Sequence, residues 1–251
     1  LADDEPCVLE AERAVAAVPE SLPTVVTVTL ALGLQRLVRR QALVRKLPSV
    51  ETLGSVTIIC SDKTGTLTRN EMTVREVRVG DAAYEVTGAG YALEGEFRRD
   101  GDSAVDAAVD EADLRLALAV GLHCNNATLR RGAAAEMPQV VGDPTEGALL
   151  VAAAKQGMFV DEAQARKEHE LPFDSTRKAM SVVVRAADGR RLLYTKGAPE
   201  VVLGMCTTVQ IAGRSEPLTE ERRAEIVQSE AELAGRALRV LGLAYRELPP
   251  D

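Results

Sequence analysis

An aspartate followed by a lysine and a threonine, directly after an apolar run, could carry phosphoryl chemistry. Residues 55–60 read Ser-Val-Thr-Ile-Ile-Cys, and residues 61–68 continue as Ser-Asp-Lys-Thr-Gly-Thr-Leu-Thr. The carboxylate of Asp62 could attack a phosphoryl group and form an aspartyl phosphate, while Lys63 and a Mg²⁺ ion neutralise the developing charge. Gly65 would let the backbone turn tightly beneath the phosphate, and the neighbouring threonine hydroxyls would donate to its oxygens.

A second group of side chains could bind a nucleotide. Phe173 is one of three Phe residues and stands close to basic residues in the sequence. Its ring could stack on a nucleobase while a lysine charge faces the phosphates, although a lone Phe more often belongs to a core. Asp143, Pro144 and Glu146 fit the N-cap, N1 and N3 positions of a predicted helix. Such a capping box would by itself explain Glu146.

A third candidate site lies in an apolar segment near the start of the chain. Residues 14–34 contain a single charge, Glu20, and match the length of a membrane-spanning helix. Pro19 and Pro23 flank this charge and would free backbone carbonyls, so that a cation could bind between them and the carboxylate. Five basic residues and no acid follow in residues 36–46, as at the cytoplasmic end of a span. A buried, β-prone core segment of a soluble protein is the open alternative.

Apolar spacing predicts the elements that position these residues. The β-branched run at residues 55–60 predicts a buried strand of a parallel sheet, whose carboxyl edge would present Asp62. A further buried helix is predicted from leucines at helical spacing, namely Leu114, Leu118 and Leu122. Residues 95–110 are polar, acidic and rich in Gly and Ala, which predicts an exposed loop.

The last third of the chain predicts a hairpin, a helix and a further strand. An alternating strand turns at the Asp-Gly pair 188–189 and returns over residues 191–195. Residues 219–234 predict a charged amphipathic helix stopped by Gly235. Residues 236–244 follow as a predicted buried strand.

The composition narrows the class of protein. A chain of 251 residues, of which 46% are apolar, suffices for one or two domains and excludes wholesale disorder. The formal net charge of −8 argues against a general nucleic-acid binder, so no nucleic-acid partner is expected. Four cysteines lie far apart without a Cys-x-x-Cys string, which argues against a disulfide framework or a zinc site.

The string at residues 61–68 resembles the phosphorylation signature of P-type ATPases. The resemblance implies that Asp62 is the phosphorylated nucleophile, that Lys63 and Thr64 assist it, and that Asp62 and Thr64 bind Mg²⁺. The wider haloacid-dehalogenase-like superfamily usually has a second Asp, the general acid/base, at the position of Thr64. Its replacement should leave the phosphoenzyme long-lived, which suits a pump and not a phosphatase.

Residues 18–23, Val-Pro-Glu-Ser-Leu-Pro, look like the unwound middle of the fourth membrane helix in calcium-type and sodium/potassium-type pumps. The resemblance implies that four residues bind the transported cation: Glu20 with its carboxylate, and Val15, Ala16 and Val18 with their carbonyls. Calcium is the expected cation, with magnesium, sodium and protons as alternatives. The expected location is the cell membrane, with residues from about 36 onward in the cytoplasm.

The strings at residues 143–146, 173–182 and 196–200 match motifs of the family's nucleotide-binding domain. The resemblance implies that ATP is the ligand, that Phe173 stacks on adenine, and that Glu146 contacts the adenine amino group. The other residues that it assigns to the nucleotide are Lys178, Met180, Lys196, Gly197 and Arg239. From the residues alone, Arg239 could equally be a solvated charge at the end of a strand.

The resemblance implies an α/β fold with two cytoplasmic domains. A nucleotide-binding domain, an antiparallel sheet flanked by helices, would be inserted into a haloacid-dehalogenase-like phosphorylation domain of which only the first strand is present. Residues 1–40 would be a partial fourth transmembrane helix, residues 41–71 the start of the phosphorylation domain, and residues 72–251 a nearly complete nucleotide-binding domain. The chain is therefore expected to be an internal piece of a pump, with the remainder of that pump as its partner.

The main hypothesis is ATP-driven cation transport through an aspartyl phosphate, in which this chain binds ATP without turning it over. The alternative is a stand-alone, non-catalytic ATP-binding or regulatory module derived from such a pump. A soluble phosphatase of the haloacid-dehalogenase type would need an acid two residues after Asp62, where the chain has Thr64.

Overall fold

The computed structural model describes residues 21–99, 103–105, 112–130, 138–162 and 165–249. The chain divides into two compact units, Leu1–Leu67 and Thr68–Asp251. In their described parts, the first unit is helical, whereas the second combines helices with antiparallel sheets.

The first unit contains helix α1 (Leu22–Arg39) and helix α2 (Pro48–Gly54). Each has a proline in its first turn, where the missing backbone N–H costs no helical hydrogen bond. No helix in the described part of the chain is long and apolar enough to cross a membrane. The predicted cation ligands lie outside the described residues, namely Val15, Ala16, Val18 and Glu20.

The prediction of a buried strand over residues 55–60 is wrong in this structure. Ile58 and Ile59 are 78% and 87% exposed. A buried parallel strand needs hydrogen-bonded neighbours on both sides, and none of the strands in the described ranges pairs with this segment. Its β-branched composition is therefore not sufficient to form a strand.

The second unit contains a four-stranded antiparallel sheet. Its strands are β7 (Arg166–Asp174), β8 (Ala179–Arg185), β9 (Arg191–Gly197) and β12 (Gly242–Leu248). Their order is β12-β9-β8-β7, so that β7 and β12 are the edge strands. The hairpin predicted at residues 188–189 is confirmed, and Gly189 takes the positive φ that the turn requires.

The remaining strands form a second four-stranded antiparallel sheet and two strand pairs, and four α-helices accompany them in the described residues. One sheet pairs β1 (Glu76–Val79), β2 (Ala82–Val86), β3 (Phe97–Arg99) and β4 (Ser103–Val105) in that order. Two strand pairs follow: β5 (Thr128–Arg130) with β6 (Gln139–Val141), and β10 (Thr208–Ile211) with β11 (Arg214–Pro217). The helices are α3 (Ala112–His123), α4 (Pro144–Ala154), α5 (Pro199–Met205) and α6 (Glu220–Gly235). The predicted antiparallel sheet with flanking helices is confirmed.

Helix α3 contributes to two hydrophobic cores. The predicted burial of Leu114, Leu118 and Leu122 is confirmed, and these leucines join side chains from β2, β3 and α4 in one cluster. Val120 and Cys124 belong to a second cluster with apolar side chains of β8 and β9. Because it contributes to both clusters, this helix links the sheet of β7–β9 and β12 to the rest of the unit.

Two predictions of local structure need correction. The predicted loop at residues 95–110 contains β3, and Phe97 of this strand is fully buried opposite Val86. The predicted strand at residues 236–244 begins only at Gly242, because the residues before it end helix α6. Ala237 has a φ of 58°, and the N–H groups of Ala237 and Leu238 donate to carbonyls of the last helical turn, as in a Schellman motif.

Candidate functional site

The segment around Asp62 forms an exposed turn. Thr64 has φ −80° and ψ 120°, and Gly65 has φ 73° and ψ 0°. These angles define a type II turn over residues 63–66, which requires a positive φ at the position of Gly65. The predicted tight turn is therefore confirmed. The Asp62 Oδ1 atom accepts a hydrogen bond of 3.2 Å from the Thr64 N–H and so orients the carboxylate against the turn.

The oxygen atoms of this turn that could coordinate Mg²⁺ indicate which kind of magnesium site it could form. Asp62 is the only acidic residue among residues 61–68. In the described ranges, no cluster of three or more His, Cys, Asp and Glu side chains could hold a metal ion. Mg²⁺ is usually held by one or two carboxylates together with phosphate oxygens and water. One carboxylate and threonine oxygens therefore fit an ion that arrives with a phosphate, and not an all-protein site.

Helix α4 begins with the predicted cap at Asp143. The Oδ1 atom of Asp143 accepts hydrogen bonds from the N–H groups of Thr145 at 2.8 Å and Glu146 at 3.3 Å. Burial alone would raise the pKa of Asp143, but the hydrogen bonds from Thr145 and Glu146 outweigh it and lower the pKa. The other half of the predicted capping box is wrong, because the oxygens of Glu146 accept from residues outside this helix.

Glu146 forms an ion pair with Lys196 across the fold. The Lys196 Nζ atom on β9 lies 2.7 Å from Glu146 Oε1, and the Asn126 N–H donates to Glu146 Oε2 at 3.1 Å. Lys196 is only 7% exposed, and a lysine buried to this degree requires a partner. The Glu146 side chain remains 17% exposed, and each carboxylate oxygen keeps a second lone pair. Glu146 can therefore accept a further hydrogen bond from a ligand.

Met180 and Gly197 lie beside this ion pair. Met180 pairs with Lys196 across β8 and β9 but is buried in the second core cluster, where its carbonyl accepts from the Cys124 thiol. Burial raises the pKa of Cys124 to about 11, so this thiol is a core group and not a nucleophile at neutral pH. A Cβ atom on Gly197 would overlap the Lys178 carbonyl oxygen. Only glycine allows the two strands to approach this closely.

Phe173 and Lys178 flank the loop between β7 and β8. Phe173 is 62% exposed on the edge strand, so it is not a core residue. Asp174 and Ala179 pair at the base of this loop, which places Phe173 on the strand next to that of Met180. Lys178 closes the loop with a φ of 50°, and its Nζ atom lies 3.5 Å from a carboxylate oxygen of Glu200. The loop thus presents an aromatic ring and an exposed cation.

Arg239 approaches the same helix end as Glu146. Its guanidinium donates a hydrogen bond of 3.0 Å to the Thr145 hydroxyl in the first turn of α4. Six of the seven residues predicted to bind the nucleotide are therefore connected through the strands β8 and β9, the residue before β8 and the start of α4. Phe173 lies on the adjacent strand β7, next to Asp174. A separate cavity of about 390 Å³ includes none of these seven residues, and its lining residues are Arg75, Glu76, Glu85, Arg236 and Leu238.

Sequence reasoning missed three polar residues next to Glu146. These are Asn126, Lys167 and Glu170, which form mutual hydrogen bonds. The hydrogen bond from Asn126 lowers the pKa of Glu170, partial burial opposes this effect, and Lys167 lowers the pKa further. The available signal was the Asn-Asn pair that follows the predicted helix.

Comparisons with known proteins agree with these motifs. Residues 113–251 match the family model described as P-type ATPase, cytoplasmic domain N. The chain is 43% identical over 238 residues to a calcium-transporting ATPase of Bacillus subtilis, covering 94% of this chain and 26% of that protein. It is 45% identical over 235 residues to the human calcium-transporting ATPase type 2C member 1, covering 92% and 25%. The cation-transporting ATPase pma1 of Synechocystis is 42% identical over 243 residues, covering 94% and 26%. The chain thus spans about a quarter of the length of these relatives.

Proposed function

Because the chain belongs to the P-type ATPases, through their cytoplasmic domain N, we propose that it is the ATP-binding portion of a cation pump. ATP held by the second unit would phosphorylate Asp62, and the aspartyl phosphate would drive the movement of a cation. The observation that supports this proposal is the family match over residues 113–251, which contains every predicted nucleotide residue. Six of these residues form one connected group in the fold, and Phe173 lies on the adjacent strand β7.

Each of these residues has a role that its surroundings permit. The exposed ring of Phe173 stacks on adenine. Glu146 accepts a hydrogen bond from the adenine amino group, and the buried Lys196 holds its carboxylate in place. The other groups act around the nucleotide: Lys178 and Arg239 as positive charges near the phosphates, Met180 as part of the pocket wall, and Gly197 as the close contact between strands.

Phosphoryl transfer would occur at Asp62. A carboxylate oxygen attacks the γ-phosphorus of ATP, the bond from that phosphorus to the oxygen shared with the β-phosphate breaks, and ADP leaves. Lys63 neutralises charge on the transferred group. Asp62 and Thr64 would hold Mg²⁺, which supplies further charge neutralisation when it is bound. Because the Thr64 hydroxyl cannot take a proton from an attacking water as the carboxylate of a second Asp would, the acyl phosphate persists.

We further infer that the apolar segment near the start of the chain takes part in cation transport. The cation, most simply calcium as in the names of the relatives, would bind at Glu20 and at the carbonyls of Val15, Ala16 and Val18. Residues 1–40 would belong to a membrane helix and residues 41–71 to the phosphorylation domain. Residues 72–251 would form the nucleotide-binding domain, which is inserted into the phosphorylation domain. The protein would act in the cell membrane, with residues from about 36 onward in the cytoplasm, together with the remainder of the pump.

Titration calorimetry with ATP and Mg²⁺ tests the nucleotide pocket on this chain. Replacing Phe173 by alanine should weaken ATP binding roughly 5- to 150-fold, because base stacking on an aromatic side chain contributes about 1–3 kcal/mol. Leu171→Ala is the matched control, since Leu171 is also an exposed apolar residue of β7. Its replacement should leave the affinity unchanged. Equal ATP affinity in the wild type and Phe173→Ala would refute the pocket.

A stand-alone ATP-binding module would pass the same calorimetric test. Acid quench after incubation with radiolabelled ATP separates it from a pump, because only a pump forms an acid-stable phosphoenzyme at Asp62. The protein should be produced from its complete gene for this assay.

A further inference from the structure

A network of hydrogen bonds among Asn126, Lys167 and Glu170 connects to the ion pair of Glu146 and Lys196 through Asn126. The Asn126 side-chain amide donates a hydrogen bond of 2.6 Å to Glu170 Oε1. The Lys167 Nζ atom donates to Glu170 Oε2 at 3.1 Å, to the side-chain oxygen of Asn126 at 3.0 Å and to the carbonyl of Asn125 at 3.0 Å. Two residues of the edge strand β7 thus hold the short segment that follows helix α3.

The segment of Asn125 and Asn126 in turn forms hydrogen bonds with the first turn of helix α4. The Asn126 N–H donates to Glu146 Oε2 at 3.1 Å. The Asn125 amide donates to the Glu146 carbonyl at 2.9 Å and to the Gly121 carbonyl at 3.0 Å, and its oxygen accepts from the Ala127 N–H. The position of the Glu146 carboxylate therefore depends on where Asn126 is held, and Asn126 depends on Glu170.

We propose that Glu170 is a positioning residue for base recognition: through Asn126 it holds the Glu146 carboxylate where it accepts the amino group of adenine. This inference rests on the proposed function, because it assigns the partner of Glu146 within that nucleotide pocket. Glu170 itself need not contact the nucleotide.

The chemistry of the carboxylate makes this role measurable as base specificity. A carboxylate only accepts hydrogen bonds, so it favours the amino group of adenine and disfavours the carbonyl oxygen at the same position of hypoxanthine. A carboxylate that is held by Lys196 and Asn126 discriminates between the two groups, whereas one released on the Asn126 side can turn away. The ratio of ATP to inosine triphosphate affinity therefore reports on how well Glu146 is held.

The test measures both affinities by calorimetry on the complete chain, in the wild type and in Glu170→Gln. Glutamine offers one acceptor oxygen where Glu170 offers two, so it cannot serve Asn126 and Lys167 as the carboxylate does. The affinity for ATP should fall about 3- to 10-fold, in line with the loss of one hydrogen bond, and the affinity for inosine triphosphate should change little.

Two further variants separate this role from general damage to the strand. Glu168→Gln is the matched control, because Glu168 is also a paired acid of β7, with Arg185 and Arg191 as its partners. It should keep the wild-type ratio. In the double variant N126D/E170Q, the side chain at position 170 donates the hydrogen bond and the side chain at position 126 accepts it. The variant keeps the net charge and an oxygen at each of the three positions that Lys167 contacts, namely 125, 126 and 170. It should restore the ratio that Glu170→Gln lowers.

The outcomes distinguish this inference from the proposed function. A wild type that binds neither nucleotide overturns the proposed function. A wild type that prefers ATP, combined with an unchanged ratio in Glu170→Gln, overturns only the positioning role. A loss in Glu170→Gln without recovery in N126D/E170Q, in proteins with wild-type circular dichroism, also overturns it.

Discussion

Two acidic side chains, Asp62 and Glu146, are held by the chain in contrasting ways. Asp62 lies in an exposed turn and accepts a hydrogen bond from Thr64, two residues further along. Glu146 accepts from Asn126, 20 residues away, and from Lys196, 50 residues away. Between residues 21 and 67 every side chain is at least partly exposed, whereas Lys196 is almost fully buried.

Under the proposed function, this contrast separates a group that reacts from a group that binds. A nucleophile needs the right side chain in an accessible backbone turn, and a short string of residues can supply both. A binding pocket needs several side chains at fixed distances, and only a packed sheet and helix supply these. Replacements near Asp62 should therefore act on chemistry, and those near Glu146 on affinity and stability.

The largest expected effect tests this separation directly. In the protein made from its complete gene, Asp62→Asn should abolish the acid-stable phosphoenzyme, because an amide oxygen cannot form the acyl phosphate. Phe173→Ala should instead shift the ATP dependence of phosphorylation roughly 5- to 150-fold and leave the amount at saturating ATP unchanged. Acid quench with radiolabelled ATP over a range of concentrations measures both.

The control for this experiment is Asp188→Asn, which keeps a turn-forming residue at the end of the β8–β9 hairpin opposite to Met180 and Lys196. It should match the wild type at every ATP concentration. Label that persists in Asp62→Asn would assign the phosphorylated residue elsewhere. A lower plateau in Phe173→Ala would mean that binding and chemistry are not separate.

The sequence predicted those parts of the fold that depend on neighbouring residues. The turn at Gly65, the cap at Asp143 and the hairpin at residues 188–189 each follow from a few adjacent side chains, and all three are present. The strand predicted at residues 55–60 depends on partner strands, which apolar composition cannot reveal. The buried Phe97 was missed because it stands alone in a polar segment.

The contacts within the candidate site could not be predicted from the sequence. The family's motifs identify Glu146 and Lys196, yet nothing local shows that they form an ion pair across 50 residues. A capping role for the Glu146 side chain was the local expectation, and the tertiary partners prevailed. Asn126 and Glu170 could not be predicted as partners, because they belong to no motif and stand 44 residues apart in the sequence.

The second effect in size contrasts two glycines. Gly197→Ala should destabilise the second unit by about 1–3 kcal/mol, because its Cβ atom would press on the Lys178 carbonyl and on Ala179. Gly65→Ala strains a residue at positive φ, but this turn is exposed and the new Cβ atom would meet nothing within 4 Å beyond its chain neighbours. It should leave the second unit unchanged. Urea unfolding followed by tyrosine fluorescence measures this, since all four tyrosines lie after residue 67.

A third glycine provides the control for that measurement. Gly204 lies in helix α5 with open space where a Cβ atom would stand, so Gly204→Ala should be neutral or stabilising by up to about 1 kcal/mol. Equal midpoints for Gly197→Ala and Gly204→Ala would mean that the strands can separate without cost. The close approach of β8 and β9 would then not restrict this position.

The smallest expected effect is the loss of stability when the side chain at a helix N-cap is removed. Asp143→Ala should destabilise the second unit by about 1 kcal/mol, whereas Ser21→Ala should have no effect, because Ser21 makes no side-chain cap to helix α1. The pKa of Asp143 is lowered by folding, so its charge stabilises the fold above the ordinary value of 3.8 and loses this effect as the pH falls through the lowered pKa. Asp143→Asn keeps the cap without this titration, so its stability relative to the wild type should rise as the pH falls. Thermal unfolding by circular dichroism across acidic pH measures the difference. A constant difference would show that the cap acts through its hydrogen bonds alone and not through its charge.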